Sequence, residues 1–350
     1  MRYRLFGRTG LYVSEVCLGT MTFGGKGFWS AIGQLTAKEA EAMIGTALDA
    51  GVNLLDTADC YSEGESEKMV GAALASLRRP RDHVLLATKV HVRMGPGANQ
   101  MGLSRGHIFA AVDASLRRLN LDFIDLYQIH ALDLDTPIEE TVRALDDLVR
   151  GGKVRYVGFC NLPAWAAMKA LAYADRCHLA RFQSAQMYYS LVTRDIEREI
   201  VPLAQDQGLA ILPWSPLAGG LLSGKFDLDR PGPAGARRTT FDFPPVDVPR
   251  AKTVIAALRE VSQATGLSCS RVALAWLLTR PFVTSVILGA RTPEQLNDNL
   301  AATDVTLDAQ HIARLDQASA LKPEYPGWMV AHQNQNRHPS KASNAYSVSR

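Results

Sequence analysis

Eight short apolar runs, rich in β-branched residues, recur along the chain with segments of helical period between them. A chain built this way folds as repeated βα units around a parallel sheet. The runs are EVCLG at 15–19, VNLLDTA at 52–58, HVLLATKV at 83–90, FIDLYQIH at 123–130, VRYVGFCN at 154–161, RFQSAQM at 181–187, LAILPWS at 209–215 and SVILGA at 285–290. Ahead of them RYRLF, the turn GRTG and LYVS read as an N-terminal β-hairpin. Eight such units in 350 residues fit a (β/α)8 TIM barrel better than an open doubly wound sheet, although the count alone leaves both available.

Helix starts are marked by capping signals. Thr36 with Glu39, Thr136 with Glu139 and Thr292 with Gln295 each read as a capping box, the last two with Pro137 and Pro293 at the first helical position. From Ile138 the residues Val142, Leu145, Leu148 and Val149 form an apolar stripe, and Gly151-Gly152 ends it. Barrels of this kind carry their working residues at the C-terminal ends of strands and in the loops that follow. Two such loops stand out: HVRMGPGANQMGLS after the third strand, and residues 226–250, with five prolines, after the seventh. Structureless connections this long are usually lids or binding loops.

One domain is expected over 1–328, followed by a polar C-terminal tail, 329–350, whose last part is expected to be disordered. Apolar residues make up 47% of the chain, ample for a core, and 38 basic against 35 acidic residues form no long block of one sign. That balance argues against nucleic acid or a polybasic membrane contact and for a small-molecule partner. No signal peptide and no run of membrane-spanning length is visible. Five cysteines, with no C-x-x-C pair and no metal-finger spacing, suit a reduced cytoplasmic interior, and no metal is expected.

Three strands end in an ionisable group amid apolar neighbours: Asp56 in NLLDTA, Lys89 in LLATKV and His130 in LYQIH. A lone buried charge costs several kcal/mol, so Asp56 and Lys89 on neighbouring strands are expected to pair. Tyr61, five residues beyond Asp56, reaches the same mouth. Singly, a strand-end lysine is commonly solvated, such a histidine structural and a loop tyrosine packed. Together they supply what protonation of a carbonyl oxygen requires: a donor, a cation to tune it and a group to orient the substrate. A phenol of pKa about 10 is a weak acid at neutral pH, and an adjacent ammonium lowers that value.

The segments DTADCY, TKV, QIH, GFCN and WSPLAGGLLSGKF, in this order, resemble the aldo-keto reductase family over about residues 1–320. The resemblance implies a (β/α)8 barrel that binds NADP(H) without a Rossmann domain, and a catalytic tetrad at Asp56, Tyr61, Lys89 and His130, Tyr61 being the acid in reduction and the base in oxidation. It implies cofactor contacts from Gly19, Thr20 and Met21, from Asp56 near the nicotinamide, from Asn161 and Gln186 to the carboxamide, and from Trp214 on the nicotinamide face. Ser215, Pro216, Leu217, Gly219 and Lys225 match the family's pyrophosphate loop. Gly289, Arg291, Gln295, Asp298 and Asn299 match its adenosine-phosphate site. The residues agree in kind: Thr292 caps a helix whose free N–H groups favour phosphate, and Arg291 adds a fork of donors for a 2′-phosphate, so NADP is expected over NAD. Cys160 stands where the family often has serine, and a thiol is the weaker hydrogen-bond partner.

Other signals fall away. GGLLSGKF approaches a P-loop, but Phe226 occupies the position of the magnesium-binding hydroxyl. No G-x-G-x-x-G follows the first strand, and no G-x-S-x-G or H-E-x-x-H occurs. Tyr188 and Tyr189 are expected to pack, while Phe23, Phe28, Trp29 and Trp328 are candidate substrate-facing aromatics. The alternative to an enzyme acting on a carbonyl or alcohol is an NADP(H)-sensing subunit of a larger complex. An added partner-binding segment would mark it, and the N-terminus here begins at the barrel.

Overall fold

The computed structural model describes residues 1–228, 230, 232–335 and 337. Strands β1 (Tyr3–Leu5) and β2 (Tyr12–Ser14) form the antiparallel hairpin, with Tyr3 opposite Ser14. Eight further strands make one parallel sheet: β3 (Val16–Gly19), β4 (Leu54–Asp56), β5 (Leu85–Val90), β6 (Ile124–Ile129), β7 (Val154–Cys160), β8 (Phe182–Tyr188), β9 (Ala210–Trp214) and β10 (Val286–Leu288). Their order, β10-β3-β4-β5-β6-β7-β8-β9, is that of a barrel, and a parallel bridge from Ile211 to Val283 draws its seam together. The fold is the (β/α)8 TIM barrel, with the eight runs read from the sequence as its staves.

Strand parity sorts the side chains. Cys17, Leu54, Ala87, Leu126, Ala210, Leu212 and Ile287 point into the barrel, where they pack with Phe6 and Val13 of the hairpin. The residues between them face the helices and join the large outer core. The hairpin is tied down by Arg4, which donates to the carbonyls of Leu278 (2.7 Å) and Val283 (2.5 Å), and by Arg2, which meets the buried Glu15 carboxylate at 3.0 Å.

Among the helices, Ala37–Asp49 begins with the expected capping box: Thr36 accepts from the Glu39 amide, and Glu39 accepts from that of Thr36. Pro293–Leu300 keeps half of its box, because the Gln295 side chain accepts instead from the Arg291 amide at 3.0 Å. The box at Thr136 does not form. Its hydroxyl donates to Asp133 at 2.7 Å, Glu139 pairs with Lys169, and Pro137, expected inside the first turn, is itself the cap of Ile138–Arg150. Donation to Asp133 is not what prevents the cap, since Thr36 also donates its hydroxyl to Glu39 while accepting from the Glu39 amide; the helix starts one residue later than the spacing implies, which leaves Thr136 outside the N-cap position. The helix beyond buries Ile138, Val142, Leu145 and Leu148 as its stripe requires.

The connection after β9 is less bare than its prolines suggest. It holds the turn Ala218–Ser223 and a single helical turn, Arg237–Thr240, before the helix Val248–Thr265.

The chain divides into two compact units, Met1–Ser319 and Ala320–Arg350. The second includes the short helix Gly327–Gln333, where Trp328 meets Tyr325 edge to face, ring centres 6.3 Å apart. Most of the tail expected to be disordered lies outside the described residues. No helix among the described residues is long and apolar enough to cross a membrane.

Candidate active site

The inward parity that fills the barrel with apolar side chains continues to the C-terminal ends of the strands, where the same face turns polar. Two residues after Leu54 comes Asp56, after Ala87 comes Lys89, and after Leu126 come Gln128 and then His130. The parallel register sets these beside one another: Gly19 lies opposite Asp56, and Lys89 opposite Gln128. Gln186 on β8, opposite Leu212, and Trp214 at the end of β9 lie on the same inward face.

Lys89 is fully buried, and its ammonium has three partners: Asp56 Oδ1 at 2.5 Å, the Thr57 carbonyl at 2.7 Å and the Tyr61 hydroxyl oxygen at 3.3 Å. An ammonium has three hydrogens to give. The second Asp56 oxygen accepts from Gln128 at 3.1 Å and from Gln186 at 2.8 Å. The pairing expected of Asp56 and Lys89 is thus present, and the tyrosine oxygen completes the cation's shell. Tyr61 opens the turn Tyr61–Gly64 after β4, with Trp29 at 5.0 Å and His130 at 6.0 Å, ring centre to ring centre.

Burial governs the charges. It raises the Tyr61 phenol above its ordinary value, against the opposing pull of Lys89. The acidifying effect expected of the ammonium is therefore real but outweighed in this closed geometry. For Lys89, burial acts against the cation but is overcome by Asp56, and the ammonium is held charged. Burial, then Lys89 and His91, lowers His130 well below the usual histidine range, leaving a neutral imidazole at neutral pH.

These groups border a cavity of about 1240 Å³. Asp56, Tyr61 and His130 reach it, whereas Lys89 sits behind them. Every residue matched to a cofactor role also lines it: Gly19, Thr20 and Met21 after β3; Asn161 and Gln186 after β7 and on β8; Trp214, Ser215, Pro216, Leu217, Gly219 and Lys225 after β9; Gly289, Arg291, Gln295, Asp298 and Asn299 after β10. Asn161, in the left-handed region at φ 54°, donates to the His130 carbonyl and accepts from the Trp214 indole, both at 3.0 Å. Trp214 is stacked on Tyr188 at 4.9 Å.

A family model described as the aldo/keto reductase family matches residues 15–320. The chain is 37% identical to an uncharacterised oxidoreductase of Bacillus subtilis, YrpG, over 90% of this chain and 95% of that one. It is 34% identical to a versiconal hemiacetal acetate reductase of Aspergillus parasiticus and to a probable voltage-gated potassium channel subunit beta of Arabidopsis thaliana, each over 93% of this chain and 99% of the other. The chain belongs to the aldo/keto reductase family. Its class is that of an oxidoreductase acting on small carbonyl compounds.

This family member carries features that its sequence did not announce. Gln128 supports Asp56, and the signal was available: it shares the inward parity of Leu126 and His130. Arg237, Phe241 and Phe243 line the cavity from the loop read as a lid or binding loop, and burial, then Arg238 and Arg291, pushes the Arg237 guanidinium down to about 10. Cys60 also faces the cavity, its sulfur 3.8 Å from His130 Nδ1. Of the candidate substrate-facing aromatics, Phe28 and Trp29 line the cavity, while Phe23, 1% exposed, packs in the outer core. Tyr189 is buried against Trp276, as the packing role expected of it requires. Cys160 is fully buried and does not border the cavity.

Proposed function

We propose that the protein is an NADP(H)-dependent oxidoreductase that reversibly transfers a hydride between the nicotinamide and an aldehyde or ketone, with Tyr61 as general acid in reduction and general base in oxidation. The observation that carries this reading is the fully buried Lys89 ammonium, shared among Asp56, the Thr57 carbonyl and the Tyr61 oxygen. Because the tyrosine oxygen accepts from Lys89, its own hydrogen is free to turn toward a carbonyl in the cavity. When bound, NADPH supplies the hydride that the carbonyl carbon accepts.

The chain's own residues fit such a cofactor. Lys225 and Arg291 border the cavity, and among the described residues neither has a carboxylate partner; Arg291 has only a backbone carbonyl, that of Gly235 at 3.3 Å. Arg291, two residues before the N-terminus of Pro293–Leu300, and Lys225 elsewhere on the cavity wall are cations that suit phosphate groups, including a 2′-phosphate. Asn161, Gln186 and Trp214 offer amide groups and an aromatic face for a nicotinamide.

In reduction Tyr61 gives its proton to the carbonyl oxygen as the carbon gains the hydride, and the alcohol forms. Lys89 then stabilises the phenolate at 3.3 Å, which water reprotonates. His130, neutral, orients the carbonyl by hydrogen bonding. In oxidation the same groups work in reverse. A cytoplasmic location, in keeping with five free cysteines, belongs to this proposal, as does the division into a catalytic domain over 1–328 and a polar tail.

The test follows NADPH absorbance against a panel of aldehydes, ketones and secondary alcohols, with NADH in parallel. Tyr61→Phe lowers turnover by about 10²–10⁴-fold, the range of a general acid, with NADPH affinity retained. Unchanged turnover in that variant refutes the role of Tyr61. The likeness to the Arabidopsis channel subunit favours a second reading, a subunit that senses NADP(H) with little turnover. Tight NADPH binding without turnover on any carbonyl, together with stable co-purification of a partner protein, would establish it instead.

A further inference from the structure

We propose that Cys60 is a positioning residue for His130: its thiol donates to Nδ1 and holds the imidazole in the tautomer that carries its hydrogen on Nε2. The assignment rests on the reading of His130 given above only for its catalytic consequence; the tautomer itself is a property of the folded chain.

The geometry is local and closed. Cys60 Sγ lies 3.8 Å from His130 Nδ1, a hydrogen-bond distance for sulfur, and both residues border the cavity. Among the described residues the sulfur is the imidazole's one hydrogen-bond partner. The main-chain groups of His130 are engaged elsewhere, its N–H with the Val90 carbonyl at 2.9 Å and its carbonyl with Asn161 at 3.0 Å, so the ring is set in place by backbone on one side and sulfur on the other. Cys60 cannot drift, because it caps the turn Tyr61–Gly64, where its carbonyl accepts from the Glu63 amide at 3.1 Å. Cys60 is 3% exposed.

Two arrangements satisfy the contact. Burial raises the thiol and lowers the imidazole, so both are neutral and the pair holds one S–H and one N–H. Either the thiol donates to a bare Nδ1, or Nδ1–H donates to sulfur. The imine nitrogen of an imidazole is a good acceptor and thiol sulfur a weak one. The second arrangement also leaves the buried S–H without an acceptor and turns a bare Nε2 lone pair on any carbonyl oxygen in the cavity. The first satisfies the thiol and leaves Nε2–H as a donor. Which nitrogen carries the hydrogen is commonly decided by the bond the other one makes, and here that bond is to the residue directly before Tyr61.

Long-range ¹H–¹⁵N NMR on the full chain labelled with ¹⁵N-histidine, with and without NADPH, reads the tautomer directly; a His130→Gln sample identifies the resonance among the eight histidines. Wild type shows the Nε2–H form. Cys60→Ala, which removes the donor, shows the two tautomers mixed, and Cys60→Ser, which keeps an O–H, restores the single form. On a turned-over carbonyl, Cys60→Ala lowers kcat by about 2- to 10-fold, the range of one net hydrogen bond, at unchanged NADPH affinity, and Cys60→Ser recovers part of the loss. Should the alanine variant fail to fold, the S–H stretching band of wild type, identified by its loss in Cys60→Ser, decides: a hydrogen-bonded thiol absorbs below the free-thiol frequency. An Nδ1–H tautomer in wild type, a single Nε2–H form persisting in Cys60→Ala, or a free-thiol band overturns the proposal. Absence of turnover on every carbonyl leaves the NMR result standing and counts against the reductase reading alone.

Discussion

Lys89 has lost its water and kept its charge, and that condition organises the residues around it. Its ammonium is satisfied by three oxygens, and the Asp56 carboxylate by Lys89, Gln128 and Gln186. Removing one partner of such a pair leaves the other charge buried and uncompensated. Lys89→Met is therefore expected to destabilise the fold by about 3–5 kcal/mol, read as a shift in urea unfolding, and Lys89→Met with Asp56→Asn recovers part of that loss because no carboxylate is left unpaired. Equal stability of single and double variants argues that Gln128 and Gln186 alone suffice for Asp56. The pairing was legible in the chain because two opposite charges at the ends of adjacent apolar strands have few other places to go. The behaviour of Tyr61 was not legible. Burial, which raises the phenol, and Lys89, which lowers it, oppose each other, and only packing decides the balance.

At the scale of elements, the segment after β9 shows where sequence signals end. Five prolines and little apolar period in 226–250 mark a long connection without saying what holds it. Arg238 does: 9% exposed, it donates to the Ala218 carbonyl at 2.9 Å and the Pro244 carbonyl at 2.8 Å, joining the turn after β9 to the segment that carries Phe241 and Phe243 over the cavity. Arg238→Ala is expected to loosen this cover and, on the proposed cofactor reading, to speed NADPH dissociation about tenfold, the effect of one or two net hydrogen bonds, measured by stopped-flow fluorescence. An unchanged rate separates this segment from cofactor release. Thr136 illustrates the same limit. Its spacing to Glu139 is that of a capping box, but the helix starts one residue later, with Pro137 as its cap, and a pattern of residue types does not fix the residue at which a helix begins.

For the whole molecule, buried neutral histidine couples the fold to pH. In the unfolded chain His130 takes up a proton near pH 6.5; in the folded protein burial, then Lys89 and His91, holds that event well lower. Between those two values the unfolded state binds more protons, so stability falls as pH drops below about 6.5, by about 1.4 kcal/mol per pH unit for one such group. Urea unfolding between pH 8 and pH 5.5 is expected to show this slope, and His130→Gln to flatten it; an equal slope in the variant assigns the effect to His91 and His107, which burial also lowers. The barrel itself was written in the chain. Eight apolar runs at βα spacing admit few ways to bury both faces of a parallel sheet. Asp56, Lys89 and His130 could be singled out for the same reason, since an ionisable group ending an apolar strand has to be answered by something. Tertiary structure alone decided which donor meets which acceptor: the third hydrogen of Lys89 on Tyr61, the sulfur of Cys60 beside His130, the guanidinium of Arg238 between two turns. These depend on distances of a few ångströms between strands and loops far apart in the chain, and periodicity carries no information at that resolution.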